Sequence, residues 1–105
     1  MEALVFFIAT REAVNKCYEE LDTAESLDDE MSIVKKCDEI IVGLMNTAII
    51  RGNIEDFKFL WMNWSPDLCM ETMVELIITE CGGNPSEFLK FLKHEGKFIE
   101  YGIVY

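Results

Sequence analysis

The stretch from Ser26 to Gly52 constrains the fold more than any other part of the chain, because its pattern predicts one long amphipathic helix with both ends marked. Ser26 is a suitable N-cap, and three acids follow it where the helix dipole favours negative charge. Apolar residues then recur at spacings of three and four. Arg51 and Gly52 mark the carboxyl end, since glycine readily takes the left-handed conformation that ends a helix. A helix of roughly 24 residues would be about 36 Å long, so the rest of a small domain can pack along it.

Gly43 is the weak point of this predicted helix. Glycine in an exposed helix interior costs about 1 kcal/mol relative to alanine. The residue therefore either permits a close helix crossing or marks a bend.

The remaining pattern predicts four shorter helices. Residues 1–21 are expected to be helical, although the strand-like composition of Leu4 to Thr10 leaves a short strand as an alternative. Start signals for the other three helices are found at Asn53, at Ser65-Pro66 and at Asn84-Pro85. The second of these helices is expected to end near Cys81 and the third near His94. The predicted apolar face of the first helix consists of Leu4, Phe7, Ile8, Val14, Tyr18 and Leu21.

Beyond the last helix, Lys97 to Tyr105 is enriched in aromatic and β-branched residues and is expected to be extended. The predicted fold class is therefore all-α: a single compact bundle of about five helices around a long central helix, with a short extended C-terminal tail. All 105 residues are expected to form one domain.

The charge of the chain limits its partners. It has 20 acidic and 9 basic residues and a formal net charge of −11. Such a chain repels nucleic-acid phosphates and anionic membrane surfaces, so neither direct nucleic-acid binding nor membrane association is expected. Between residues 19 and 30 the acids are dense enough to predict an acidic surface, formed by Glu19, Glu20, Asp22, Glu25, Asp28, Asp29 and Glu30.

The sequence contains no recognised catalytic or metal-binding motif. The four cysteines form no C-x-x-C pair and His94 is the one histidine, so neither a zinc site nor a disulfide framework is indicated. Phosphate-binding glycine loops and the H-E-x-x-H motif are absent. We predict no enzymatic activity, no cofactor and no metal, and we expect reduced thiols in a cytoplasmic protein. The apolar run from Ala3 is too short and too acidic at its start for a signal peptide.

Large side chains supply the candidate partner contacts, because aromatic residues are enriched as anchors in interfaces. In the predicted third helix, Phe57, Leu60, Trp61 and Trp64 form one stripe, for which a core position is favoured and an exposed anchor is the alternative. The candidate partner-binding residues are Phe59, Trp61, Met62 and Trp64 in this helix, and Phe98, Tyr101, Ile103 and Tyr105 in the tail.

Two segments of the chain are similar to each other. R-G-N at Arg51 and G-G-N at Gly82 both precede an amphipathic helix rich in phenylalanine. This arrangement resembles a degenerate ankyrin repeat, which spans about 33 residues with paired helices, and the resemblance implies a protein-binding array. The T-P-L-H motif is missing, and the helix before Gly52 is too long for that fold. The resemblance covers about half of the chain.

Three functions are compatible with these features. We expect a small acidic protein-interaction module, an inhibitor or assembly factor that acts through an apolar helix face or the C-terminal tail and forms a homodimer or other homo-oligomer. The first alternative is an acidic mimic of nucleic acid that occupies a DNA- or RNA-binding protein. The second is the ankyrin-like repeat binding a protein partner. Small acidic helical chains are common among phage and viral accessory proteins, an association that carries no mechanism.

Overall fold

Five helices make up the described part of the chain in a computed structural model, which describes residues 2–64, 66 and 69–94. They are α1 (Ala3–Asp22), α2 (Leu27–Arg51), α3 (Ile54–Asn63), α4 (Met70–Glu80) and α5 (Pro85–His94). The all-α prediction is confirmed. Leu4 to Thr10 lies within α1, so the strand alternative is wrong. The predicted extended tail lies outside the described residues.

The long helix α2 begins and ends where the sequence predicts. The Ser26 hydroxyl accepts a hydrogen bond from the Asp29 backbone N–H at 3.1 Å, and Gly52 follows the helix with φ of 70°. Helices α1, α3 and α4 all pack against α2, as expected of a central helix. Its buried residues are Cys37, Ile41, Met45, Ala48 and Ile49.

The helices form two layers. Arg11 pairs with Asp56 and Tyr18 bonds to Asn63, and because both pairs are 45 residues apart, α1 and α3 run parallel. Helix α5 packs beside α3 and completes the first layer, while α2 and α4 form the second. The thinnest dimension of the described part is 19 Å, which matches two layers of helices of about 10 Å diameter each.

The two Gly-Asn turns, whose resemblance the sequence indicates, lie against each other. The Gly82 N–H donates to the Ile49 carbonyl at 3.1 Å, and the same carbonyl accepts from Gly52 at 3.0 Å. Beyond the turns, the rings of Phe57 and Phe88 meet edge to face at 5.2 Å. These two residues stand at matching places after their turns, so the hairpins α2–α3 and α4–α5 stack in register.

The buried face of α1 differs from the predicted one. Phe6, Thr10, Val14 and Cys17 are buried. Of the predicted set, Leu4, Phe7, Ile8 and Tyr18 are exposed. The polar Thr10 concealed this face in the sequence: its hydroxyl donates to the Phe7 carbonyl at 2.8 Å and accepts from Arg11 at 2.9 Å, which removes the cost of burying it.

The start of α4 was also predicted wrongly. Pro66 lies outside the helix, which begins at Met70. A start signal shows only that a local sequence can cap a helix. Where α4 begins also depends on its packing against α2 and α5, and tertiary packing can override such a local preference.

A buried polar contact joins α1 to α3. The Asp56 side chain is 3% exposed; its carboxylate pairs with Arg11 and accepts a hydrogen bond from the Asn53 side-chain amide at 2.6 Å. The Arg11 guanidinium lies over the Phe7 and Phe59 rings, 3.7 Å and 4.0 Å from their centroids. Both partners of the charge pair are therefore held in place.

Candidate functional site

A groove of about 1010 Å³ runs along the outer face of α2 and the beginning of α4, and we call it the α2–α4 groove. It exists because the two helices differ in length. Helix α4 has 11 residues and α2 has 25, so at 1.5 Å per residue α4 covers less than half of α2. The described residues that line the groove are Leu27, Glu30, Met31, Val34, Lys35, Asp38, Glu39, Val42, Gly43, Asn46, Cys69, Thr72 and Met73.

The floor of the groove is apolar and open to water. Leu27 is 70% exposed and Met31 is 62% exposed, while Val34 and Val42 are half-buried. These four residues follow one another at spacings of four, three and eight, so they lie on one face of α2. Large aliphatic side chains grouped in a concave surface are typical of a site that binds another molecule.

One wall of the groove is fixed by an aromatic contact. The Trp64 indole N–H donates to the Asp38 carboxylate at 2.8 Å. The Trp64 ring meets the Tyr18 ring edge to face at 5.1 Å, and the Tyr18 hydroxyl donates to the Asn63 carbonyl. Since these contacts join α1, α2 and the end of α3, Asp38 is held in one orientation at the groove.

Cys69 brings an exposed thiol to the end of the groove. It is the N-cap residue of α4, and hydrogen bonds from the Thr72 side chain and backbone lower the pKa of its thiol. The buried Cys17 is the opposite case. Burial, reinforced by a hydrogen bond with the Cys37 thiol, raises the pKa of Cys17 to about 12. Thiol reagents therefore have a reactive target in the groove and an unreactive one in the core.

The predicted partner contacts of α3 are distributed between core and surface. Trp61 and Trp64 are buried, which agrees with the core position favoured for them, and Phe59 is half-buried beneath Arg11. Met62 is 72% exposed. The four tail candidates, Phe98, Tyr101, Ile103 and Tyr105, lie outside the described residues.

The predicted acidic surface is located at one end of the molecule, around the turn between α1 and α2. Glu19, Asp22, Glu25, Asp28, Asp29 and Glu30 are exposed, and Glu20 is half-buried. Glu20 forms an ion pair with Lys36 at 3.4 Å, and the Asp29 carboxylate accepts from the Glu25 backbone N–H at 3.4 Å. Glu30 also lines the α2–α4 groove, so the acidic end and the groove meet there.

The sequence pattern does not predict the groove. Leu27 and Met31 fall inside the predicted long helix, and nothing in the spacing of apolar residues sets them apart from the residues that are buried. The available signal was the excess of apolar positions on α2 over what a helix packed on one side needs. The length of α4, which decides where the cover ends, was overestimated because its start was placed at Pro66.

Within residues 2–64, 66 and 69–94, no three histidine, cysteine or acidic side chains are grouped so that they could hold a metal ion. In the same residues no helix combines the length and the apolar character that crossing a bilayer requires. No family model, no curated protein and no solved structure matches the chain.

Proposed function

We propose that the protein is a small acidic interaction module without enzymatic activity, an inhibitor or assembly factor, that binds a protein partner in the α2–α4 groove. The exposed apolar floor of this groove carries the proposal. Leaving Leu27 and Met31 in water forgoes roughly 1.5 to 3 kcal/mol for each side chain that a partner could bury. Such a surface favours association over solvation.

The lining of the groove also favours binding over catalysis. Its described residues are mainly aliphatic or singly charged and include Cys69 but no histidine. Histidine is the base that most often activates a cysteine nucleophile, so the described lining lacks the usual partner for Cys69. A site of this composition is suited to holding an apolar surface.

Two substitutions test this proposal. Met31→Glu places a charge on the groove floor, and Ile78→Glu does the same at a 55% exposed position of α4 outside the lining. Neither side chain is buried, so both variants should fold. In affinity capture from the native host, the partner should be lost with Met31→Glu and retained with Ile78→Glu. A partner retained by both variants would show that it binds elsewhere.

A second surface supports self-association. Leu4 and Ile8, 67% and 44% exposed, lie one turn apart on α1, with the exposed Val5 and Phe7 beside them. We propose that this face pairs with a second copy of the chain. Light scattering during size-exclusion chromatography should give an oligomer that Leu4→Glu converts to a monomer, with Ile78→Glu as the matched control. A monomeric wild type would exclude this part of the proposal.

Mimicry of nucleic acid is the second candidate function, and the grouping of exposed acids around the α1–α2 turn favours it. Duplex DNA or RNA should displace the partner of such a mimic from the protein. The partner should also no longer be captured when Asp22, Glu25 and Asp28 are replaced by their amides. Asp29 is left unchanged because its carboxylate accepts a hydrogen bond from the Glu25 backbone N–H. Capture that survives these changes and fails with Met31→Glu would favour the groove.

The stacked hairpins support the ankyrin-like alternative, in which the protein is a short helical repeat array that binds a protein partner. The in-register contact of the Gly52 and Gly82 turns is the relevant observation. The 25 residues of α2 depart from the short helices of that fold. A cytoplasmic location is proposed from the cysteine pattern of the sequence.

A further inference from the structure

We propose that the occupant of the α2–α4 groove is an amphipathic helix that places an apolar stripe on α2 and lysine or arginine residues on both flanks. This inference rests on the proposed function and specifies the class of partner. Three features support it: the backbone chemistry of the walls, an exposed glycine, and the charge of the lining.

The walls favour a helix over an extended segment. Both walls are helices, whose backbone groups are already bonded within the helix, so an extended peptide would find no strand edge to pair with. A helix satisfies its own backbone and needs only side-chain contacts. The floor from Leu27 to Val42 covers about 15 residues, or roughly 22 Å, which matches about four turns of a docked helix. Such a helix, about 10 Å wide, has a volume of roughly 1700 Å³, so the groove would accept more than half of it.

Gly43 provides a point of close approach. It is exposed, lines the groove, and a Cβ added to it would meet no atom of the described residues within 4 Å. Packing within the described part of the chain therefore gives no reason for this glycine, although it lowers helix stability by about 1 kcal/mol relative to alanine. A docked helix would explain the glycine, because the absence of a side chain lets a second backbone come near.

The charge of the lining selects a cationic occupant. The described lining residues include three acids, Glu30, Asp38 and Glu39, and one cation, Lys35. The whole chain carries −11, so a second copy would bring like charge to the groove, and an anionic lipid surface would be repelled. Basic residues on both sides of an apolar stripe would face acids instead.

Synthetic helical peptides of about four turns test the inference by fluorescence anisotropy with the full-length protein. They share one leucine stripe and carry lysine, glutamine or glutamate on the flanks. A fourth peptide scrambles the leucines among the lysines. We expect the lysine peptide to bind about tenfold more tightly than the glutamine peptide at low salt, and this advantage should shrink as salt screens the charges. The scrambled peptide should bind weakly.

Matched protein variants separate the groove from general attraction. Gly43→Met should weaken binding of the lysine peptide at least tenfold without destabilising the fold. Ser32→Met, at an exposed α2 position outside the lining, should leave that binding unchanged. Glu39→Lys and Glu12→Lys change the net charge equally, and only Glu39 lines the groove. We expect the affinity loss from Glu39→Lys to be several times the loss from Glu12→Lys.

Each other outcome overturns the inference in a distinct way. The lysine and glutamine peptides could bind the wild type equally well and both fail to bind Gly43→Met. That result would refute the selection of a cationic partner and leave the proposed function intact. Affinity unchanged by Gly43→Met refutes helix docking at this site. A dimer that Gly43→Met dissociates identifies a second copy as the occupant. If replacing Phe98 and Ile103 by serine raises the affinity for the lysine peptide tenfold, the occupant of the groove is the chain's own C-terminal segment.

Discussion

The contact between the two Gly-Asn turns yields a sharp prediction about stability. Gly52 has φ of 70°, a backbone conformation that residues with a side chain rarely adopt. A Cβ there would lie 2.7 Å from the Gly82 carbonyl carbon. A Cβ on Gly82 would overlap the Ile50 carbonyl oxygen. Backbone atoms cannot rotate away as flexible side chains do. We therefore expect Gly52→Ala and Gly82→Ala to push the turns apart and to destabilise the protein.

The magnitudes follow from the contacts that are lost. The left-handed conformation costs a residue with a Cβ about 1 to 2 kcal/mol. Separating the turns breaks the bond from Gly82 to Ile49, worth about 1 kcal/mol. Gly52→Ala should then cost about 2 to 3 kcal/mol and Gly82→Ala about 1 to 2 kcal/mol. One displacement relieves both clashes, so the double variant should cost about 1 kcal/mol less than the sum.

Urea denaturation followed by tryptophan fluorescence measures these changes, since Trp61 and Trp64 are buried. Gly43→Ala is the control: no atom of residues 2–64, 66 and 69–94 lies within 4 Å of the added Cβ, so this substitution in an exposed helix interior should raise the stability by up to about 1 kcal/mol. If Gly82→Ala is as harmless as Gly43→Ala, or if the two turn substitutions add independently, the turns are not in contact and the stacked-hairpin description fails.

Three further predictions concern the Arg11–Asp56 pair and the cysteines. Arg11→Ala should cost about 2 to 3 kcal/mol by denaturation, less than the ~3–5 kcal/mol for a fully buried pair because Arg11 keeps some water contact. In the Asp56→Ala background the same change should cost clearly less, and an equal cost would contradict the pairing. In native protein, a disulfide reagent should modify Cys69 and leave Cys17 intact, read by mass spectrometry after digestion. The raised pKa of Cys17 means that its contribution to stability is complete below about pH 9 and is lost as the pH rises toward about 12, so Cys17→Ala should flatten that part of the pH profile.

Local capping signals predicted the helix ends well where packing against other helices did not override them. Ser26, Gly52 and Asn53 act at the termini that the sequence assigned to them, because a cap satisfies backbone groups within three or four residues of itself. The same kind of signal failed at Pro66. Where α4 begins also depends on its packing against α2, whose residues are distant in the chain.

The candidate site depended still more on distant contacts. Composition indicated an acidic chain with more apolar residues than so small a core needs, and this is the sequence feature on which the proposed interaction module rests. Which apolar residues remain exposed could not be predicted, because periodicity shows a face without showing what covers it. Met31 and Met45 are equally apolar members of α2, yet one is exposed in the groove and the other is fully buried.

The sequence alone therefore determined the helical class, the central helix and the acidic end, since these depend on residue spacing and charge along one segment. Tertiary structure alone decided that Phe6 and Thr10 face the core, that the two glycine turns meet, and that α4 leaves half of α2 uncovered. The physical reason is that burial belongs to pairs of surfaces. A helix face is buried or exposed according to the length and position of its neighbour, which the helix's own residues do not encode.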